Sequence, residues 1–237
     1  DVEDNQLLRW GVINKGISYD MICNNPREGY RHWILNKNIA GKKLNDFIGD
    51  WLTVNLNSLI MEDNLPPVTN NKDGIIYYGT YRKWREDAFK RFLTKGVTLS
   101  ASNKNWKKFE AIGCDCNFVP KLEWPKGNED LRNYKYSIYI EDIHTHKNYA
   151  FLANRFYEAL MADVVILFDA ECSNTIAKCG YALHEDTIID KTKLKNGIAD
   201  YAKTLDFNKL LTYQKSFLHK AMDEKRTTIM QINNFLL

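Results

Sequence analysis

The sequence predicts an α/β protein built on a Rossmann-like, doubly wound sheet. The first observation is the segment 151–169, in which apolar residues recur at helical spacing up to about Ala162 and are followed by the unbroken apolar run VVILF at 164–168. Such a run is typical of a strand that is buried on both faces of a parallel sheet. The second observation is that predicted strands and helices alternate from residue 74 onwards. This alternation indicates a parallel sheet with helices on both faces.

A linker precedes the alternating region. Residues 63–74 contain Pro66-Pro67, three asparagines and Asp73-Gly74, which are typical of a segment between domains. Predicted strands follow at 75–79, 97–100, 117–122, 136–141 and 164–168, with a short strand within 177–183. Predicted helices lie at 82–93, 105–112, 151–162, 187–206, 207–225 and 227–237, and residues 44–59 are expected to form a helix or a helix and a strand.

Composition limits the class of protein. The chain has 237 residues, 44% of them hydrophobic and 27% charged, as is ordinary for a soluble globular protein. The most apolar window, residues 149–168, contains Arg155, Glu158 and Asp163, and no signal peptide is visible, so we expect a cytoplasmic protein without a membrane span. Five cysteines without metal-binding spacing indicate free thiols in a reducing compartment.

The charge of the chain leaves nucleic-acid binding open. The net charge is only +3, and a local patch matters more than the total. Residues 27–43 are basic, with Tyr30 and Trp33 interleaved. This pattern fits either a nucleic-acid surface or a solvated helix face whose aromatic residues belong to the core.

A phosphate site is predicted where the strand at 75–79 ends. Gly79 allows a tight turn, Thr80 and Tyr81 follow, and Arg82 and Arg85 place two permanent cations at the start of the next helix. Backbone N–H groups in the first turn of a helix point beyond the strand end, and guanidinium groups pair with phosphate oxygens in bidentate fashion. The alternative is that both arginines are solvated.

Arg155 and Glu158 form the second candidate pair. They are three residues apart and share one face of the predicted helix. Because the ends of successive strands line one crevice, Arg155 is expected to reach the same phosphates, and the two carboxylate oxygens of Glu158 suit the vicinal hydroxyls of a ribose. The alternative is an ordinary ion pair within the helix.

These segments together resemble a known family. GTYRKWRED at 79–87 and FLANRFYEALMADVVILFD at 151–169 resemble the nucleotide-sugar half of GT-B glycosyltransferases, and more narrowly the DNA β-glucosyltransferases of T-even phages. The shared features are a glycine turn with two arginines, an Arg-x-x-Glu helix and a strand that ends in the acidic Asp169. The resemblance extends from about residue 75 to the C-terminus. It departs from the family in the spacing between Arg82 and Arg85, which is one residue shorter here, and in a longer loop after Asp142.

The resemblance implies a UDP-glucose-dependent hexosyltransferase that glucosylates the hydroxymethyl group of a modified pyrimidine in phage DNA, with inversion at the sugar carbon. The arginines would hold the diphosphate, Glu158 the ribose, and the backbone near Leu122 the edge of uracil. Glu141 and Asp142 would lie near the transferred sugar. The donor-binding residues implied in this way are Gly79, Thr80, Tyr81, Arg82, Arg85, Leu122, Glu141, Asp142, Arg155 and Glu158.

A domain division and a catalytic base are also implied. Residues 1–72 would be part of an N-terminal acceptor and DNA-binding domain that is incomplete or reduced, because a complete first domain needs about 150 residues. Residues 73–226 would bind UDP-glucose, and a helix at 227–237 would brace the N-terminal domain. The base of the family is an aspartate in the first domain, and DVED offers Asp1, Glu3 and Asp4, of which Asp1 is preferred.

The implied partners are a UDP-sugar and double-stranded DNA, whose target base would be flipped out of the duplex. Residues 27–43 and the lysines Lys104, Lys107 and Lys108 are candidates for contacts with the DNA backbone. We expect a monomer, located in the host cytoplasm if the protein is phage-encoded.

A metal ion is an open question. A Mg²⁺ or Mn²⁺ ion beside the diphosphate is one alternative. Asp142, His144 and His146 alternate and would share a face of a continuing strand, but the segment has the character of a loop. We therefore expect solvated histidines and no metal ligands from the protein.

Two other functions remain open. One is a glycosyltransferase that acts on an already glucosylated base or on another glycan. The other is a module that binds DNA or UDP without catalysis.

Overall fold

The fold is described by a computed structural model, which covers residues 22–24, 32–34, 51–53, 56–62, 72–123, 127–141 and 152–236. Its centre is a parallel sheet of six strands. These strands are β4 (Ile75–Tyr78), β5 (Val97–Ala101), β6 (Asn117–Pro120), β7 (Tyr136–Tyr139), β8 (Val165–Asp169) and β9 (Ile188–Ile189), and they lie in the order β6-β5-β4-β7-β8-β9. The chain reverses its direction of travel across the sheet between β4 and β7, as in doubly wound folds. The predicted Rossmann-like fold is confirmed.

Helices cover both faces of this sheet. They are α1 (Glu86–Phe92), α2 (Asn103–Ala111), α3 (Gly127–Leu131), α4 (Asn154–Met161), α5 (Ser173–Lys178), α6 (Ile198–Lys203) and α7 (Phe207–Leu236). One apolar cluster joins α1, α2, α6 and the start of α7 to the sheet, and includes Phe89, Phe109 and Leu210. A second cluster joins α4, α5 and the middle of α7 to the opposite face, and includes Phe156 and Phe217. Since side chains are buried on both faces of the four inner strands β4, β5, β7 and β8, these strands are mostly apolar.

The predicted helix and strand at 151–169 are confirmed as α4 and β8. Phe156, Ala159 and Leu160 are buried at helical spacing, and every residue of β8 is buried. Asp163 takes a left-handed conformation with φ of 52° directly after the helix. The amide of Val164 then donates to the carbonyl oxygen of Ala159, which turns the chain straight into the sheet.

The region after β8 departs from prediction. Instead of a strand within 177–183, the structure has α5, which ends before Gly180 with its φ of 79°. Instead of a helix across 187–206, it has β9 and, further on, only the short helix α6. The helices predicted at 207–225 and 227–237 are one continuous helix, α7.

Short elements precede the linker. Strands β1 (Ile22–Asn24), β2 (His32–Ile34) and β3 (Trp51–Thr53) form an antiparallel sheet, and a 3₁₀ turn at Leu56–Ile60 packs on α7. Lys225 Nζ donates to the Met61 carbonyl oxygen at 2.6 Å. Residues 63–71 lie outside the described residues, so the division into 1–72, 73–226 and 227–237 stays a prediction. Among the described helices, none is long and apolar enough to cross a membrane.

Candidate functional site

The candidate site lies at the carboxyl ends of β4 and β7, where the strand order reverses. The chain leaves β4 at Gly79, where a guanidinium group approaches the backbone closely. A Cβ atom on Gly79 would lie 2.9 Å from Tyr77 Oη and 3.2 Å from Arg155 Nη2. Glycine is therefore required here because a larger residue would displace the arginine or the tyrosine.

Three charged side chains meet beside this glycine. Glu141, which follows β7, contacts Arg85 Nη2 through Oε2 at 2.8 Å and Arg155 Nη1 through Oε1 at 3.2 Å. The carboxylate side chain is only 7% exposed, and Arg155 Nη1 also donates to the Ile140 carbonyl oxygen at 2.8 Å. We call these three residues, Arg85, Glu141 and Arg155, the arginine–glutamate cluster. Its net charge is +1, so it still favours an anion.

The cluster contains N–H groups that have no hydrogen-bond partner among the described residues. Arg85 Nε is buried and has no hydrogen-bond partner among the residues that the structure describes. Arg155 Nη2 lies over Gly79, while the other terminal nitrogen of the guanidinium is held by Glu141 and Ile140. Burial opposes the charge on Arg155, but Glu141 raises the pKa of the guanidinium above its ordinary value. Two fixed cations with unused N–H groups are a suitable receptor for a diphosphate.

Glu158 lies on the same helix as Arg155 and is half-buried. Burial raises the pKa of its carboxyl group to about 7, although the charge of Arg155 and a hydrogen bond with Tyr78 act in the opposite direction. The Tyr78 hydroxyl also donates to the Arg155 carbonyl oxygen at 3.0 Å, which ties β4 to α4. Glu158 is thus an acid that titrates near neutral pH beside the anion receptor.

A cleft of about 200 Å³ opens next to Gly79. It lies at the carboxyl ends of β4, β5 and β6, and its lining residues are Tyr78, Gly79, Thr80, Ser100, Ala101, Ser102, Asn105, Lys121 and Leu122. The amide N–H of Leu122 donates to Ser100 Oγ at 3.0 Å. A base edge bound at Leu122 would therefore be read by the carbonyl oxygen, because the N–H is already used.

The structure brings most of the predicted donor residues together. Gly79, Arg85, Glu141, Arg155 and Glu158 meet at the strand reversal, and Thr80 and Leu122 line the adjoining cleft. The resemblance implies that Glu141 lies near the transferred sugar, which stays a prediction; its observed contacts are with the two arginines.

Two predicted residues lie apart from the cluster. Tyr81 packs on Phe89 and Phe109, and its hydroxyl donates to Glu86. Arg82 is exposed, directly before the 3₁₀ turn Lys83–Arg85. The candidates Asp1, Asp4, Asp142, His144 and His146 lie outside the described residues. So does the basic segment 27–43, except for His32–Ile34, which form strand β2 and not part of a helix. Within the described ranges, no group of three His, Cys, Asp or Glu side chains could hold a metal ion.

Sequence reasoning missed the polar groups that come from the strands themselves. Tyr77 and Tyr78 fall in the predicted strand 75–79 and were not singled out. Tyr77 lies under the Arg155 guanidinium at 5.6 Å, and Tyr78 contacts Glu158. Ser100, in the middle of an apolar strand, was the available signal, because a buried hydroxyl needs a partner. Asp169 pairs with Arg91 at 3.1 Å and caps the turn that follows β8, which is a structural role.

Comparisons with known proteins agree with this fold. No protein-family model and no curated protein matches the sequence. Among solved structures, T4 phage β-glucosyltransferase in complex with UDP and Mn²⁺ matches with a TM-score of 0.60 at 18% identity, over 76% of this chain and 52% of that one. The same type of DNA-modifying enzyme, solved with and without uridine diphosphoglucose, matches with a TM-score of 0.59 at 18% identity, over 76% of this chain and 56% of the other.

A further structure of the T4 phage enzyme, in complex with UDP-glucose, matches with a TM-score of 0.55 at 19% identity, over 76% of this chain and 54% of that one. The chain thus spans about half the length of the structures that it matches. The resemblance inferred from the sequence is confirmed at the level of the fold.

Proposed function

We propose that the protein is a glycosyltransferase that moves glucose from UDP-glucose to the hydroxymethyl group of a modified pyrimidine in DNA. The observation that carries this proposal is the arginine–glutamate cluster at the strand reversal, with Glu158 beside it. Doubly wound folds bind nucleotides at this point of the sheet. The fold shared with T4 phage β-glucosyltransferase supports the choice of a nucleotide sugar.

Donor binding follows from the described side chains. The diphosphate accepts a hydrogen bond from Arg155 Nη2, which lies over Gly79, and its charge is attracted by the net positive charge of the cluster. The carboxylate of Glu158 accepts from the two ribose hydroxyls, which places the ribose between α4 and β4. The base then extends into the cleft lined by Ser100 and Leu122.

The transfer step is an inverting displacement. The hydroxymethyl oxygen attacks the anomeric carbon of glucose, a carboxylate accepts the proton of the attacking hydroxyl, and UDP leaves with the bonding electrons. Arg85 and Arg155 stabilise the negative charge that grows on the departing phosphate. Asp1, with Asp4 as the second candidate, is proposed as the base. To present its hydroxymethyl group, the target pyrimidine is flipped out of the duplex.

Two measurements on the full chain test this function. Calorimetry with UDP tests the donor site. Arg155→Lys should weaken binding at least about tenfold, because lysine lacks the planar fork with which one guanidinium nitrogen contacts Glu141 while the other faces the phosphate. Arg226→Lys on the exposed face of α7 is the matched control and should bind like the native chain. UDP binding by Arg155→Lys with the affinity of the native chain would refute the proposed donor site.

The second measurement is transfer of labelled glucose to duplex DNA. Hydroxymethylated DNA should be glucosylated and unmodified DNA should not. Transfer only to DNA that already carries glucose would reassign the acceptor, and UDP binding without transfer to any of these duplexes would assign a binding module. Parallel reactions with EDTA and with Mn²⁺ determine whether the transfer depends on a metal ion.

A further inference from the structure

A second charged feature lies at the opposite end of the sheet. A groove of about 1040 Å³ is bounded by the amino ends of β4, β5 and β7, the end of α1, the loop before α6 and the start of α7. The four-residue strand β4 separates it from the donor site by about 13 Å, at about 3.3 Å for each residue. The cluster and the cleft described above are not part of it.

Positive charge dominates this groove. Six lysine and arginine residues line it against two aspartates: Lys90, Arg91, Lys95, Lys135, Lys195 and Lys203 against Asp73 and Asp200. Arg91 is paired with Asp169, and Lys203 with Asp200 at 2.7 Å. The remaining four lysines have no ion pair in the part of the chain that the structure describes, and three of them, Lys90, Lys95 and Lys195, are exposed. The groove therefore carries a net positive charge, because the cations outnumber the two aspartates.

The walls of the groove are preformed. A Cβ atom on Gly96 would lie 2.8 Å from the Cβ atom of Ala199, and one on Gly197 would lie 3.2 Å from Thr94 Oγ1. Both glycines have a positive φ, 90° and 85° respectively. The turn before β5 and the turn before α6 are thus in close contact, and the groove needs no rearrangement before a ligand enters.

We infer that this groove binds the phosphate backbone of duplex DNA away from the donor site. The cations without partners are lysines, which are point charges suited to contacts with phosphates without regard to base sequence. The groove is concave and four lysines without an ion pair among the described residues line it, which fits a ligand with several negative charges, as a DNA backbone has. The choice of DNA among polyanions rests on the proposed function.

Salt dependence of DNA binding tests the inference. Each phosphate contact contributes about 0.9 to the slope of log affinity against log salt. Lys95→Ala combined with Lys195→Ala removes one lysine from each of the two touching turns and should lower this slope by about 1.8. Between about 50 and about 200 mM salt, the variant should lose about 12-fold less affinity than the native chain.

The assay is fluorescence anisotropy with a short, unmodified, labelled duplex and the full chain. Lys215→Ala combined with Arg226→Ala removes two exposed cations from α7 and should leave the slope unchanged. An unchanged slope in the groove variant, or an equal decrease in the α7 variant, would overturn the inference.

UDP calorimetry on the same samples separates the two claims. The groove variant should bind UDP with native affinity, which also shows that it is folded. Absence of UDP binding by the native chain would refute the proposed donor site. The salt dependence of DNA binding would still test whether the groove binds DNA.

Discussion

Glu141→Gln is the most informative single change at the donor site. The substitution keeps the size of the side chain and removes the negative charge that lies 2.8 Å from Arg85 and 3.2 Å from Arg155. Both guanidinium groups are then left in a site where the side chains are only 11% and 16% exposed. Removal of one partner from a buried ion pair leaves an uncompensated charge, which costs more than the pair contributes.

The expected loss follows from that geometry. Buried pairs broken in this way lose about 3–5 kcal/mol, and we take about 3 kcal/mol because the arginines retain some exposure. For a chain of this length the melting temperature should fall by about 6–12 °C. UDP supplies a new counter-charge, so the bound form should lose less. If the diphosphate restores about half of the loss, UDP binds about tenfold more tightly to the variant than to the native chain.

Thermal unfolding and calorimetry with UDP measure both effects. Glu110→Gln on α2 removes an exposed carboxylate and should leave both the melting temperature and the affinity unchanged. UDP is used instead of UDP-glucose so that any contact between Glu141 and the sugar does not enter the result. Native stability together with native or weaker UDP affinity in Glu141→Gln would show that the carboxylate does not compensate the arginines.

Three further predictions concern the same site. UDP-glucose affinity should rise from about pH 6 to about pH 8 with a midpoint near the Glu158 pKa of about 7, because the ionised carboxylate accepts hydrogen bonds from both ribose hydroxyls. Calorimetry should show that this rise is absent in Glu158→Gln. The raised pKa of Glu158 also means that the free energy of unfolding should fall as the pH rises from about 4.5 to about 7, since the unfolded chain releases the proton first. Denaturant titrations of the native chain and Glu158→Gln would show the same pH dependence of this free energy if the carboxyl group had an ordinary pKa. Gly79→Ala places a Cβ 2.9 Å from Tyr77 Oη, so it should cost about 1–3 kcal/mol in stability and weaken UDP binding, and native values of both would contradict the close approach of Arg155.

The central part of the fold could be predicted from the sequence because burial leaves a local signal. Strands β4, β5, β7 and β8 are covered on both faces, so nearly every residue in them is apolar or fully buried. The edge of the sheet formed by β9 carries no such signal. Strand β9 consists of Ile188 and Ile189 alone and pairs only with Phe168 and Asp169. Two residues are too few to show a period, and the sequence around them was assigned to a helix.

Some features of the candidate site could likewise be predicted from the sequence and others could not. Residues that follow a strand end could be found from the sequence, because Gly79 and the charges after it occupy positions where parallel strands place ligands. The residues with which they pair could not be found from the sequence. Glu141 follows β7, Arg85 follows β4, and the two loops are adjacent only because β4 and β7 are neighbours in the sheet. Strand order is a property of the whole fold, so the pairing is invisible to an analysis of local spacing.

The pairing of Glu141 with Arg85 and Arg155 determines the charge of the site before a nucleotide binds. Two guanidinium groups fixed for a diphosphate repel each other, and burial would make that repulsion costly if no anion were present. Glu141 supplies the missing anion from within the fold. It contacts one terminal nitrogen of each arginine, and among the described residues Arg85 Nε and Arg155 Nη2 have no hydrogen-bond partner. The ligand therefore adds to an ordered arrangement instead of having to assemble it. Its affinity then reflects the charge that the cluster leaves uncompensated, which is one unit and not two.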